Sequence, residues 1–351
     1  MSLHFSQQRR LSTYLPAPGA GGGKPVRLYT ELRRDPLTGR SGRFAHFLGF
    51  KLVAPDLAPV VAASRSGCPF CPERVLQVTP LLPSSIAPQG RIARGEALVF
   101  PNISPYDRDS VVVVLTRQHF VAANRFSADQ IADGLLASIE YFRALGRAGR
   151  GTYSVLTWNY MPPAGATQVH AHFQAFSTDR PGWLLEEEVR RSRAFWRRHH
   201  HAYWEELVAT EEQVGLRFVA RGRHIAWLTP FVSRSLVSDL MALFPQSVSL
   251  EELSEDAVAE FAAGVTTALA AFYDEGVRAH NLAFYASPSG ESARHFWLHA
   301  RISPRVYVNP AIEGSDNTAW QHLLDEPIMV RSPEDLATRL RGHFAASARP
   351  A

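Results

Sequence analysis

Two stretches of the chain repeat one order of apolar and polar positions. In the first, Val111 to Leu115 is an unbroken apolar run, as expected of a strand buried on both faces. A polar turn follows, and then SADQIADGLLASIEYFRAL (127–145), whose apolar residues recur at helical spacing behind Ser127 as an N-cap candidate. TYSVLTWNY (152–160) reads as a strand, a Pro/Gly loop interrupts, and GATQVHAHFQAF (165–176) reads as another. In the second stretch HIAWLTPF (224–231) is strand-like and SLEELSEDAVAEFAAGVTTALAAFYDEG (249–276) is a capped helix. HNLAFYAS (280–287) is a strand, and HFWLHARISPR (295–305) closes the unit. Strand, long helix, strand, loop and histidine-bearing strand thus occur twice, as when one supersecondary unit is used again. The charged segment 184–212 predicts a helix joining the two copies, with His199 to His201 on its solvated face. The expected division is a flexible, disordered leader at 1–25, a first half at 26–204 and a second at 205–351.

The strand 165–176 carries the most specific polar pattern. Alternate residues of a strand share a face. His170, His172 and Gln174 therefore stand in one row, with Val169, Ala171, Phe173 and Ala175 behind them. Such a row suits a half-buried strand, and equally a site where three polar groups converge.

Composition narrows the chemistry. A chain of 351 residues can bury two medium-sized cores, and 46% apolar with 20% charged residues is ordinary for a globular protein. No apolar run approaches the ~18 to 20 residues that cross a bilayer, and the first residues do not read as a secretory signal. The expectation is a cytoplasmic protein without a membrane partner. The net charge of +4 would suggest nucleic acid, but the arginines are scattered and no basic block is interleaved with aromatics, so nucleic acid is not expected. Lysine occurs only at Lys24 and Lys51. Lys24 lies in GAGGGKP, which no strand precedes and no helix follows, so it is not a phosphate loop. Phosphate chemistry here would rest on arginine, backbone amides or histidine. The only cysteines, Cys68 and Cys71 in GCPFCPE, are too few for a disulfide framework. They leave three readings open: a redox couple, half of a metal site that needs two further ligands, or a turn with buried thiols.

Taken in order, several segments resemble one family. They are ELRRDPLTGR (31–40), the cysteine pair, VFPNISPY around Asn102 and TRQHF with His119. Asn159 six residues before Gly165, the histidine strand, and FWLHARISPR complete the set. Over most of the chain after residue 27 the sequence resembles the galactose-1-phosphate uridylyltransferase branch of the histidine-triad superfamily, which also contains nucleotide-sugar and dinucleotide phosphorylases. The resemblance implies an α+β fold of two fused histidine-triad-like halves, each an antiparallel sheet with a long helix. It implies a closed structural zinc site of Cys68, Cys71, His119 and His170. It makes His172 the nucleophile toward the α-phosphorus of a nucleotide, with its other ring nitrogen donating to a backbone carbonyl. Gln174 would bind a non-bridging oxygen, Thr167, Gln168 and Asn159 would lie along the phosphates, and Asn102 beside the nucleoside. Asn102 and Asn159 also have an ordinary reading as loop or turn residues.

The implied activity moves a nucleoside monophosphate from a nucleotide-sugar or nucleoside polyphosphate to a phosphorylated small-molecule acceptor. A phosphorylase, a hydrolase and a catalytically degenerate nucleotide-binding protein are the alternatives, and a homodimer is one assembly consistent with the family. The chain also departs from the family. Ala171 replaces the usual proline, and Arg301 stands where some relatives place a metal-binding histidine. Glu188, His280 and His299 would be remnants of that second site, without metal. Segment 306–326 lacks the lysine that relatives use on hexose phosphate, so galactose 1-phosphate is not the expected acceptor.

Overall fold

The computed structural model describes residues 3–17, 24–45, 51–150, 152–245, 247–288, 291–292, 294–308 and 316–347. In chain order these form β1 (Ser6–Tyr14), β2 (Val26–Arg34), β3 (Ser41–Ala45), α1 (Ala58–Arg65), α2 (Pro72–Val78), β4 (Ile92–Arg94), β5 (Ala97–Pro101) and β6 (Val111–Val114). Next come α3 (Ala128–Arg147), β7 (Tyr153–Tyr160), β8 (His172–Thr178), α4 (Trp183–His199) and α5 (Tyr203–Val214). The second copy supplies β9 (Phe218–Arg221), β10 (Ala226–Leu228), β11 (Leu240–Leu243), α6 (Glu255–Asp274), β12 (Ala279–Tyr285) and β13 (His299–Arg305). The chain closes with α7 (Ala319–Leu323), β14 (Ile328–Met329) and α8 (Pro333–Ser347).

The fold is α+β with antiparallel pairing throughout its main sheet. That sheet has ten strands in the order β4-β5-β6-β8-β7-β12-β13-β11-β10-β9. Read inward from either edge, the strands follow the same succession in each copy, so the repeat seen in the sequence reappears as a mirrored strand order. The two copies share one sheet rather than owning one each. They join where β7 pairs with β12, with Asn159 opposite Asn281 and Thr157 opposite Ala283.

One face of the sheet is covered by α3 and α6, which pack on each other. Ser127 caps α3 through the Gln130 N–H in a capping box, and Ser254 caps α6 through the Ala257 N–H. Both helices bury an apolar side against Leu115, Leu156, Trp158, Phe173, Leu282 and Ile302, all 0–1% exposed. The opposite face carries a smaller cluster at each end. Around β5 and β6 it is Val75, Phe70 and Phe100; around β10 and β11 it is Leu185, Val189, Trp204 and Leu207. Between these clusters the face is polar, and there the candidate site lies.

Three expectations need correction. The supposedly disordered leader contains β1, which pairs with β2 from Ser6–Arg34 to Tyr14–Val26; residues 18–23 lie outside the described residues. Composition concealed this strand because almost all its side chains are exposed and its order comes from the β2 backbone. The charged helix read from 184–212 is two helices, broken at His200, which takes a left-handed conformation (φ 63°) at the end of α4. His199 to His201 therefore form a corner, with His201 Nε2 2.7 Å from Glu206, whose hydrogen bond raises the imidazole pKa. Nor do the halves separate cleanly near 205. α4 packs with α5 on strands of the second copy, and β14 pairs in parallel with β3.

Arg33 on β2 reaches Glu334 at 3.0 Å, and Arg217 reaches Glu334 at 3.0 Å and Glu211 at 2.8 Å, with both arginines and Glu211 buried and Glu334 half-buried. The ELRRDPLTGR motif is the turn that aims this β2–β3 unit. Asp35 Oδ1 accepts from the Leu37 and Thr38 N–H groups and from the Thr38 hydroxyl.

Gly264 of α6 lies against the Trp227 indole: a Cβ there would stand 2.2 Å from Cζ2 and 2.7 Å from Cε2. The ring is 3% exposed and has nowhere to go. Gly264→Ala should therefore lower stability by about 1–3 kcal/mol despite its better helix propensity. Gly146→Ala, where an added Cβ meets nothing within 4 Å, should gain up to about 1 kcal/mol. Denaturant titration of both variants checks the pair.

Candidate metal centre and active site

The four residues expected as metal ligands come from four separate places. Cys68 precedes α2, Cys71 is its N-cap, His119 follows β6, and His170 stands just before β8. Their ligand atoms lie within 4.8 Å of one another, and all four residues are at most 4% exposed. Cys71 Sγ is 3.4 Å from His119 Nδ1 and 3.7 Å from His170 Nδ1, and Cys68 Sγ is 3.6 Å from His170 Nδ1. A tetrahedral ion with ordinary thiolate and imidazole bond lengths separates sulfur from nitrogen by about 3.5 Å.

The far side of each ring is also arranged for ligation. His170 Nε2 donates to the Thr116 carbonyl at 2.7 Å, leaving Nδ1 as the lone-pair nitrogen, and His119 Nε2 meets Ser64 Oγ at 3.1 Å. Burial pushes His170 down to about 4 and lowers His119, so both rings are neutral at pH 7. Burial, then the neighbouring Cys68, raises the Cys71 thiol to about 11. Binding a cation here would displace the thiol protons and use the Nδ1 lone pairs of both rings. Both cysteines are free thiols, so the set can hold a metal and is not a disulfide.

His172 opens β8 and is 7% exposed. Its Nδ1 lies 2.8 Å from the His170 carbonyl, and the Phe70 ring meets it edge-on at 5.1 Å. A carbonyl only accepts, so Nδ1 carries the proton and the Nε2 lone pair is free. Burial lowers this imidazole's pKa as well. Opposite β8, Val114 pairs with His172 and Val112 with Gln174, which seats the row on a stiff apolar strand.

Gln174 is half-buried and its Oε1 accepts from Asn159 Nδ2 at 3.3 Å. Thr167 is exposed and Gln168 half-buried on the loop into His170, which turns at Gly165 in the left-handed region (φ 84°). Asn102 follows β5, two residues past Phe100, whose ring packs on Phe70, and its Oδ1 accepts from the Ser104 N–H at 2.9 Å. The ordinary reading of Asn102 as a turn residue is therefore realised.

Sequence reasoning missed Phe70, Ser64 and Asn281. Asn281 Nδ2 donates to Asn159 Oδ1 at 2.7 Å, which brings the second copy into the row. Only the β7–β12 register could have revealed it.

The second copy holds a different cluster at the related position. Glu188 lies 3.3 Å from His299 Nε2 and 3.5 Å from Arg301. His280 does not join them. Strand alternation turns it to the helix-covered face, stacked on Tyr160 at 4.9 Å, where burial pushes its pKa to about 3.

No protein-family profile matches the chain. An uncharacterized protein of Archaeoglobus fulgidus is 27% identical over 330 residues, 91% of this chain and 94% of its own. A solved uridylyltransferase is similar over 91% of this chain and 99% of its own, at 20% identity and a TM-score of 0.65. A GalT-like protein of Arabidopsis thaliana gives a TM-score of 0.68 at 16% identity, over 89% of this chain and 98% of its own. An ADP-glucose phosphorylase of the same plant, solved with bound ADP-glucose, covers the same shares at 16% identity with a TM-score of 0.67. The chain has the fold of these proteins over 89–91% of its length. Among the described residues no helix is long and apolar enough to cross a membrane.

The donor set predicts one tightly held metal ion per chain. Cys71→Ala and His170→Ala should each lose it and melt at lower temperature, because a missing ligand opens the closed set. His172→Ala should retain it. Elemental analysis alongside thermal unfolding of the three variants is the measurement.

Proposed function

We propose that the chain is a nucleotidyltransferase that forms a covalent nucleotidyl-histidine at His172. The observation that carries this reading is the 2.8 Å bond from Nδ1 to the His170 carbonyl, which leaves Nε2 as a nucleophile on a neutral ring. In the first step Nε2 attacks the α-phosphorus of a nucleotide-sugar or nucleoside polyphosphate. The N–P bond forms as the bond from that phosphorus to the bridging oxygen breaks, and the sugar phosphate or polyphosphate leaves with the oxygen. In the second step a phosphate oxygen of the acceptor attacks the same phosphorus, the N–P bond breaks, and the neutral imidazole returns. Both steps spread charge over the non-bridging oxygens. Gln174 and Asn159 would donate to these, with Thr167, Gln168 and the loop amides along the phosphates and Asn102 toward the nucleoside.

Cys68, Cys71, His119 and His170 would hold a zinc ion, whose role when bound is structural because four protein ligands leave no open position. The residue that ends this ligand set, His170, supplies the carbonyl that orients His172, so ligand loss would also misplace the nucleophile.

Incubation with a panel of nucleoside diphosphate-sugars and triphosphates, without acceptor, should leave one nucleotide mass on the peptide containing His172. The bond should be acid-labile and stable to base, as a phosphoramidate is. His172→Ala should abolish the adduct, and Gln174→Ala should slow it by about 2–4 kcal/mol. Because burial lowers the His172 pKa, its reactive form persists below the ordinary 6.5, so the adduct rate should stay flat through pH 6.5 and fall only in more acid solution. Chasing with a sugar phosphate, inorganic phosphate or water then separates transferase, phosphorylase and hydrolase. Normal adduct formation in His172→Ala would sink the mechanism.

A further inference from the structure

We infer that Arg305, at the end of β13 in the second copy, is a positioning residue that sets which end of the Gln174 amide faces the candidate site; the inference deepens the nucleotidyl-transfer reading and rests on it. A side-chain amide can present either its oxygen or its nitrogen, and only its partners decide. Four hydrogen-bonded side chains run across the sheet from β13 to β8. Arg305 Nη1 donates to Asn281 Oδ1 at 3.0 Å. Asn281 Nδ2 donates to Asn159 Oδ1 at 2.7 Å and to the Ala164 carbonyl at 2.8 Å. Asn159 Nδ2 donates to Gln174 Oε1 at 3.3 Å.

Both anchors of this chain have fixed polarity. A guanidinium has donors only and a carbonyl accepts only. Between them Asn281 has one satisfied orientation: oxygen to Arg305, both hydrogens to Asn159 and Ala164. Its nitrogen then meets the Asn159 oxygen, which turns the Asn159 nitrogen toward Gln174. Gln174 receives that donor on its oxygen and keeps its own NH2 for the far side. A free donor there suits a phosphate oxygen, whereas a free carbonyl would repel one.

Arg305 is itself held. Its Nε donates to the Asp316 carboxylate at 2.9 and 3.0 Å and Nη2 at 2.5 Å, while Asp316 also accepts from the Val306 N–H. Asp316 is 3% exposed, so the guanidinium is fixed as a planar fork and not as a mobile surface charge. The chain crosses the β7–β12 junction between Asn159 and Asn281, which face each other in register. A residue of the second copy thereby orients a donor of the first.

The test uses Asn281→Asp, Arg305→Met, Arg305→Lys and Gln174→Ala in the whole chain. The Asn281→Asp carboxylate keeps the shape of the amide and its bond to Arg305 but has no hydrogens, so Asn159 and Gln174 must both turn over. This variant should lower the rate of nucleotidyl-adduct formation about 10²-fold, the size of losing one preorganised donor, with the metal kept and a lower melting temperature, because the Ala164 carbonyl loses its donor. Arg305→Met should also slow the reaction, and Arg305→Lys, which restores a donor, should recover part of the rate. Asn281→Asp combined with Gln174→Ala should be no slower than either alone, since both remove one donor. Multiplying losses would overturn the inference, as would an unchanged rate in Asn281→Asp.

Side-chain amide exchange followed by 15N spectroscopy reads the chain independently of activity. The Asn281 NH2 should exchange slowly in the wild type and in Arg305→Lys, and at least tenfold faster in Arg305→Met. If the wild type forms no adduct, the transfer reading falls while this comparison still decides the chain; equal exchange in Arg305→Met overturns it.

Discussion

The antiparallel register between β7 and β12 is the constraint on which the rest depends. Facing residues of an antiparallel pair project to the same side of the sheet. Asn159 opposite Asn281 therefore places the polar positions of both copies on one face, and His280 opposite Tyr160 places both copies' aromatic packing on the other. A slip of one residue would send the Asn281 side chain into the α3–α6 core and bring His280 out. Cost on the buried side enforces the register: Trp158, Tyr160 and Leu282 are at most 1% exposed, and none could face water without losing that burial. An apolar interior thus fixes a polar row with which it has no direct contact.

The strand β8 adds a second level of constraint. His170 and His172 are two residues apart, yet they serve different ends because the strand begins between them. His170 lies outside the ladder, where its ring turns toward the cysteines and its carbonyl stays free to accept from His172. His172 lies inside the ladder, clamped opposite Val114. On the proposed reading, the same short stretch would be pinned at one end by a closed ligand set and present a nucleophile at the other. In the proposed mechanism the Cys68, Cys71, His119 and His170 set would not touch the reacting atoms. Its influence passes through one backbone carbonyl, whose position decides the tautomer of the imidazole next to it.

Much of this was legible in the sequence, and what was not has a common physical cause. The α3 and α6 caps, the repeated strand–helix–strand order and the row of His170, His172 and Gln174 are local, period-bound signals. The ligand set of Cys68, Cys71, His119 and His170 was reached through resemblance, because spacing along the chain says nothing about four segments converging. All but one of the errors and omissions are long-range. β1 is ordered by pairing with β2, although its own composition is that of a solvated tail. The α4–α5 break lies within a continuous charged pattern, and only the left-handed His200 marks it. Asn281 and Arg305 read as ordinary strand residues until the β7–β12 register brings one beside Asn159 and Asp316 clamps the other.

The two copies show why one strand pattern does not repeat one chemistry. By register His299 occupies in β13 the position of His172 in β8: each opens its strand opposite the last residue of its neighbour, Leu243 and Val114, with Nδ1 beside the carbonyl two residues back, and Arg301 takes the position of Gln174. In the first copy Phe70 meets the His172 imidazole edge-on at 5.1 Å, and its Nδ1 donates to the His170 carbonyl. In the second the imidazole at this position, His299, is sandwiched between Tyr285 at 4.8 Å and Trp204 at 4.4 Å, with Glu188 3.3 Å from its Nε2. The aromatic faces occupy the space that other ligands would need. Arg301 brings a permanent positive charge to Glu188, so the carboxylate has a covalent part of the protein as its counterion. The position that holds the neutral Gln174 amide in one copy is thus a guanidinium in the other, which donates only. Packing and charge together make the second copy a scaffold that supports the first copy's row across the shared sheet.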